Sequence, residues 1–130
     1  MGLTVVLDSV DPRAVLPFWE EALGYRFVSD LGAFLVLVPR DQDDGASGAP
    51  VFLLQQVPEP RSGKNRMHLD VHPPDVPALV ARLEELGGRR VGPPVTGMLE
   101  SIGVWWQVMA DPQDNELCVV ADPGHPPPAG

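Results

Sequence analysis

The sequence is poor in cysteine and in positive charge. Cys118 is the sole cysteine of the 130 residues, which excludes a disulfide within the chain and is compatible with a reducing compartment. Lysine and arginine together number 9 against 18 aspartates and glutamates, so the formal net charge is −9. Such a charge repels phosphate backbones and anionic lipids. We therefore expect neither nucleic acid nor a membrane as a partner.

Long apolar runs are lacking as well. No stretch reaches the roughly 18 consecutive apolar residues that a membrane-spanning helix needs. Residues 1–4 lack the charged start of a signal peptide, and we expect a cytoplasmic protein. Hydrophobic residues nevertheless make up 44% of the chain, which is enough for the core of one domain of this length.

Proline and glycine are plentiful and fall in clusters that separate the strand-like stretches. The segment between Pro39 and Pro50 is rich in aspartate and glycine and predicts a hairpin loop. Its spaced acids suggest calcium, but the ligand spacing and closing glutamate of an EF-hand are absent. Residues 124–130 show no periodicity, so we expect a domain over 1–123 and a disordered, proline-rich tail.

The two halves of the chain repeat one pattern. Residues 4–11 align with residues 68–75 at an offset of 64, which places Thr4 over His68 and Asp11 over Asp75. Each stretch alternates like a strand and ends in an aspartate that can cap a helix, with a proline in the first turn. The repeat predicts two similar modules, at about residues 3–60 and 64–121.

Each half continues with one amphipathic helix and three short strands. Apolar residues three and four apart predict one buried face per helix, and Gly24 and Gly87 predict where the helices end. Alternation predicts six further strands, at residues 25–29, 33–38, 51–57, 89–91, 104–110 and 116–121. A strand, a helix and three strands, twice over, indicate an α+β fold of two βαβββ modules.

Three segments carry a resemblance to a known family. Residues 64–71 (KNRMHLDV) and 110–118 (ADPQDNELC) resemble the second-half strands of glyoxalase-like, vicinal-oxygen-chelate proteins, which include the bleomycin-resistance proteins and dioxygenases. Residues 18–25 (FWEEALGY) resemble the end of that family's first helix. The resemblance covers about residues 3–121 and implies a curved sheet around a shared cavity, and a homodimer. The family spans enzymes and drug-binding proteins, so the fold constrains function poorly.

The resemblance also implies where a metal would be held. Metal-using members place four side chains, from the first and last strands of each module, around a divalent ion. The matching positions are Thr4, Gln55, His68 and Cys118, all of which we expect to face the cavity, with Gln56 replacing Gln55 if the register differs by one. A hydroxyl, an amide and a thiol are poor replacements for the usual ligands, so we expect no metal cofactor. If a metal is bound, its candidate ligands are His68, Gln55 and Glu116, which shares the face of Cys118.

Two neighbours of His68 are candidate binding residues. Arg66 and Asp70 have the same strand parity as His68. We favour an ion pair between them that holds the imidazole ring, and the alternative is that Arg66 binds a substrate carboxylate. His72 also shares this parity, but two prolines follow it, so we expect it at the rim or on the surface.

Aromatic and sulfur side chains complete the candidate site. Trp105 and Trp106 are adjacent in a predicted strand, so one indole faces the helix and the other faces the cavity or solvent. The inward indole would form a flat wall for a ligand. Cys118 is more typical of a small buried apolar residue than of a nucleophile.

Two classes of function remain open at this level. The first is a binding protein that takes a small organic molecule without a metal, and an acidic chain suits a cationic ligand. The second is a lyase, isomerase or dioxygenase, either metal-dependent or with His68 as general base and Glu116 as a second catalytic group. A degenerate domain that serves assembly is a third reading.

Overall fold

A computed structural model describes residues 2–41 and 48–128 of the chain. Residues 42–47, most of the acidic segment considered for calcium, lie outside this part. The chain divides into two compact units, Met1–Ser62 and Gly63–Gly130. Within the described residues, no helix has the length and apolar character that crossing a membrane requires.

The first unit is a four-stranded mixed sheet with one helix. Its elements in chain order are β1 (Thr4–Ser9), α1 (Pro12–Leu23), β2 (Tyr25–Asp30), β3 (Phe34–Pro39) and β4 (Val51–Gln56). The strand order is β1-β4-β3-β2, with β1 parallel to β4 and the other neighbours antiparallel.

The helix α1 follows its sequence signals closely. Pro12 occupies its first turn, and Gly24 ends it in the left-handed region at φ +67°. Its apolar face is buried, with Phe18 fully enclosed and the ring of Trp19 stacked on Phe52 at 5.5 Å between centroids. This helix therefore covers one face of the first sheet and forms its core.

The two predicted aspartate caps behave differently. Asp75 caps the second helix as expected, because its side chain accepts a hydrogen bond of 3.0 Å from the backbone nitrogen of Ala78. Asp11 occupies the same position before α1 with an extended backbone, but its side chain makes no capping hydrogen bond to the described residues of that helix. The expectation of a capping bond is therefore wrong at Asp11.

The second unit repeats the plan with one addition. Its elements are β5 (Leu69–Val71), α2 (Val76–Glu85), β6 (Arg89–Arg90), α3 (Leu99–Ile102), β7 (Trp105–Ala110) and β8 (Glu116–Ala121). The strand order β5-β8-β7-β6 matches that of the first unit, and β5 runs parallel to β8. The prediction of two βαβββ modules is confirmed, although the short helix α3 was not foreseen and β5 starts one residue after His68.

A buried turn leads into β8 and explains one of the sequence motifs. The carboxylate of Asp111, which is 1% exposed, accepts hydrogen bonds from the backbone nitrogens of Gln113 and Asn115 and from the side chain of Asn115. Asp114 adopts a left-handed backbone at φ +67° to close the turn. The Asp-Pro-x-x-Asn pattern is thus a structural device that sets the start of β8.

Candidate functional site

The face of the second sheet opposite α2 carries a concavity of about 430 Å³. Its polar lining residues are His68, Asp70, His72 and Cys118, and its apolar ones are Val104, Trp106, Val108 and Val120. Strand alternation places these side chains together, because Asp70 lies opposite Cys118 in the β5–β8 pairing and Val108 lies opposite Cys118 in the β7–β8 pairing. Sequence reasoning missed the three valines as lining residues. They share strand parity with Trp106 or Cys118, so strand alternation could have placed them on this face.

A polar cluster occupies one side of this concavity. The Nε2 atom of His68 lies 3.2 Å from Oδ1 of Asp70. Together with the sulfur of Cys118, the ligand-type atoms of these residues lie within 4.8 Å of one another. The His68 and Asp70 side chains are about half exposed, at 49% and 51%, so a bound molecule can reach them.

The thiol of Cys118 forms the buried side of the cluster. Burial raises the pKa of Cys118 most, and together with the charge of Asp70, the hydrogen bond between Asp70 and the thiol and the charge of Glu116 it brings the pKa to about 11. At neutral pH the sulfur is therefore protonated, and a protonated thiol is a poor nucleophile. The structure supports the interpretation of Cys118 as a small buried residue.

The two adjacent tryptophans leave β7 on opposite faces, as predicted. Trp106 is half-buried and lines the concavity. Trp105 is 1% exposed, faces Val76 and Val80 of α2, and donates from Nε1 to the carbonyl of His125 at 2.9 Å. The sequence left open which of the two indoles faces the cavity. The structure places Trp105 against α2, away from the concavity.

Arg66 and Glu116, two of the predicted polar site residues, lie outside the lining of the concavity. Within residues 48–128, the structure shows no ion pair between Arg66 and Asp70; the carboxylate contacts His68 and Cys118 instead. Arg66 is exposed ahead of β5 and is not part of the lining. Glu116 shares the face of Cys118 but lies outside the lining, so it acts on the site through its charge.

His72 is found at the end of β5, where the following prolines predicted it. Its Nδ1 atom lies 2.9 Å from Oδ1 of Asp122, and both side chains are about half exposed. The residue is one of those that line the concavity. A second histidine–carboxylate pair therefore stands beside the pair of His68 and Asp70.

The candidates of the first unit share one face of its sheet. Thr4 lies opposite Val51 and Gln55 opposite Asp8 in the parallel pairing of β1 and β4. Residues of this parity lie on the face opposite the one where Phe52 and Leu54 are buried. Gln56 has the other parity, and its side chain donates to the carbonyl of Val10 at 3.0 Å. The register thus favours Gln55 over Gln56, and a common cavity of Thr4, Gln55, His68 and Cys118 stays a prediction.

The donor set of the second unit does not fit the hard divalent ion of metal-using relatives. His68 supplies one imidazole, but the position of the usual carboxylate holds the thiol of Cys118. A metal would have to displace a proton from a group whose pKa is raised to about 11, which weakens binding at neutral pH. Glu116 does not belong to the group of His68, Asp70 and Cys118 whose donor atoms converge.

Comparison with known proteins agrees with this architecture. The model of a family described as glyoxalase-like domain matches residues 4–120, nearly the whole chain. Among curated proteins, none matches this sequence.

Solved structures share the fold at low sequence identity. A glyoxalase-related enzyme from Fulvimarina pelagi is 18% identical with a TM-score of 0.67, over 99% of this chain and 94% of that one. A glyoxalase/bleomycin resistance protein from Albidiferax ferrireducens is 18% identical with a TM-score of 0.66, over 92% and 97%. The fosfomycin resistance protein FosX from Mesorhizobium loti is 13% identical with a TM-score of 0.65, over 90% and 87%. At these identities the likeness concerns the fold.

Proposed function

Because the chain belongs to the glyoxalase-like domain family of the vicinal-oxygen-chelate superfamily, we propose that it binds a small organic molecule in the concavity of its second unit. The observation that carries this proposal is that Trp106 and three valines form an apolar wall, which lies beside the polar pair of His68 and Asp70. A volume of about 430 Å³ falls within the roughly 300–1,000 Å³ of small-molecule sites.

The apolar and the polar lining residues have different roles in binding. The indole of Trp106 and the valines offer apolar surface that a ligand buries, which supplies most of the affinity. His68 and Asp70 are accessible hydrogen-bonding groups that orient the ligand, because their geometry is held by the contact between them. Predominantly apolar walls with few polar groups are typical of ligand sites.

Binding without a metal is part of the same proposal. It is supported by the neutral thiol of Cys118 at the position where metal-using relatives carry a carboxylate. The glyoxalase/bleomycin resistance protein from Albidiferax ferrireducens shares this fold, which makes a binding role a natural candidate. We also propose a homodimer in the cytoplasm, which analytical ultracentrifugation and fractionation would test.

The decisive experiment joins a metabolite-library thermal shift to a tryptophan fluorescence titration. A ligand that binds the folded state raises the melting temperature, and binding at the concavity changes the emission of Trp106. Trp106→Phe should remove most of the fluorescence change and keep the fold, whereas Ile102→Ala, at an exposed apolar residue, should leave binding intact. The proposal fails if a ligand found by the screen binds Trp106→Ala as well as the parent chain.

One observation favours a second candidate, an enzyme that uses His68 as general base. The carboxylate of Asp70 contacts one ring nitrogen of His68 and thereby leaves the second nitrogen for proton transfer. In a screen of lyase, isomerase and dioxygenase substrates, His68→Gln should then abolish kcat while a substrate still binds. If activity survives this substitution, His68 is not the general base.

A further inference from the structure

The ionisable groups that line the concavity favour positive charge in a ligand. Among the described residues of this unit, no lysine or arginine lines it. Asp70 is the carboxylate in the lining, and its contacts, His68 and Cys118, carry no permanent positive charge. The concavity therefore contains an anion that no fixed cation neutralises.

Three arginines of the unit are paired outside the lining, and Arg66 lies exposed ahead of β5 without being part of the lining. Arg82 pairs with Glu85 at 3.2 Å. Arg89 pairs with Asp114 at 2.8 Å, and Arg90 approaches Glu84 at 3.4 Å. The three pairs lie on exposed side chains outside the lining. These guanidinium groups do not compensate the charge of Asp70 within the concavity.

The apolar part of the lining determines what kind of cation fits. Trp106 offers an indole, the aromatic ring that attracts cations most strongly. Val104, Val108 and Val120 cannot replace the water shell of an inorganic ion. The favoured cation therefore has an organic body that the valines and the indole can cover.

We infer that the ligands of this concavity are organic cations, in which a protonated or quaternary amine pairs with Asp70 while an apolar or aromatic body packs against Trp106. This inference rests on the proposed function, since it specifies the ligand class of the same site. It makes Asp70 the specificity-determining residue, because Asp70 is the carboxylate that lines the concavity.

Calorimetric titration of the full chain with three probes of similar size tests the inference. The probes are 2-phenylethylammonium, 2-phenylethanol and phenylacetate, which differ in charge and share a phenyl ring. The ammonium should bind about tenfold more tightly than the alcohol, because a charge-assisted hydrogen bond exceeds a neutral one. Phenylacetate should bind most weakly, and added salt should reduce the preference for the cation.

A matched pair of variants assigns the preference to its residue. Asp70→Asn should bring the affinities of the ammonium and the alcohol within about twofold. Glu85→Gln removes the same charge from an exposed position on α2 and should retain the full preference. Trp106→Ala should lower the affinities for the ammonium and the alcohol by similar factors. This measurement can be made even if Asp70→Asn folds poorly.

The outcomes separate the two proposals. Equal or tighter binding of the alcohol or of phenylacetate overturns the inference of a cationic ligand, while binding itself upholds the proposed function. A preference for the ammonium that persists unchanged in Asp70→Asn also overturns the inference. If none of the three probes binds, the inference is wrong, and the library screen with Trp106 variants decides the proposed function by itself.

Discussion

Asp70 and Cys118 lie directly opposite each other in the parallel pairing of β5 and β8. Because both side chains leave the same face of the sheet, a carboxylate stands beside the one thiol of the chain. This pair links the electrostatics of the concavity to a group whose ionisation can be measured.

The first prediction concerns the reactivity of Cys118. Alkylation by a small thiol reagent should rise with pH around a midpoint near 11 in the folded protein, because burial and the charge of Asp70 raise the pKa of the thiol to about 11. Asp70→Asn should move the midpoint downward, and Asp114→Asn should not, because the charge of Asp114 is not among those that raise the pKa of the thiol. A midpoint near 8.5, as in an unfolded chain, would contradict the geometry.

The second prediction is the effect of this thiol on stability at high pH. In the unfolded chain the thiol ionises near pH 8.5, whereas in the folded protein its pKa is about 11. Since the folded state holds the proton more tightly, the contribution is complete below about pH 8.5 and is lost as the pH rises towards 11. Chemical denaturation should show a loss on the order of 3 kcal/mol that Cys118→Ala lacks. Parallel pH profiles for the two proteins would refute it.

The third prediction tests the turn before β8. Asp111→Asn replaces a buried acceptor of three hydrogen bonds and should cost roughly 2–3 kcal/mol of unfolding free energy. Asp114→Asn is the control, because asparagine tolerates the left-handed backbone and the lost ion pair with Arg89 is exposed. Urea denaturation of both variants measures the difference, and equal effects would show that the buried network is unimportant.

The fourth prediction addresses the end of α1. Gly24 adopts φ +67°, so Gly24→Ala should destabilise the protein by about 1 kcal/mol or more through backbone strain. Gly97→Ala, at a position with open space and an ordinary φ, should be neutral or slightly stabilising. Melting temperatures compare the two, and a neutral Gly24→Ala would argue against the left-handed ending.

The fifth prediction is that the purified, untagged chain holds no stoichiometric transition metal. The reason is the donor set, in which a protonated thiol and an amide take positions that carry stronger ligands in metal-using relatives. Elemental analysis that finds about one equivalent of metal per chain, lost in His68→Ala, would defeat this prediction.

Much of the fold follows from local sequence patterns. Apolar spacing, Pro12 and Gly24 predicted α1, since these signals act within one turn of helix. Strand alternation predicted that Trp105 and Trp106 face opposite sides, because successive side chains must leave a strand on opposite faces. The short helix α3 was missed, as its four residues carry too little periodicity to be distinguished from a loop.

Parity by itself could not identify partners across the sheet. It placed Arg66, His68 and Asp70 on one side of their segment, but the favoured pairing of Arg66 with Asp70 is wrong. The carboxylate of Asp70 contacts His68 and Cys118 instead, and Arg66 is not part of the lining. What brings Asp70 to Cys118 is the lateral register of β5 on β8, two strands far apart in the chain. Register depends on how both strands pack against the same helix and neighbours, a property of the assembled unit. The sequence thus determined which face each side chain takes, and the tertiary structure decided which side chains meet there.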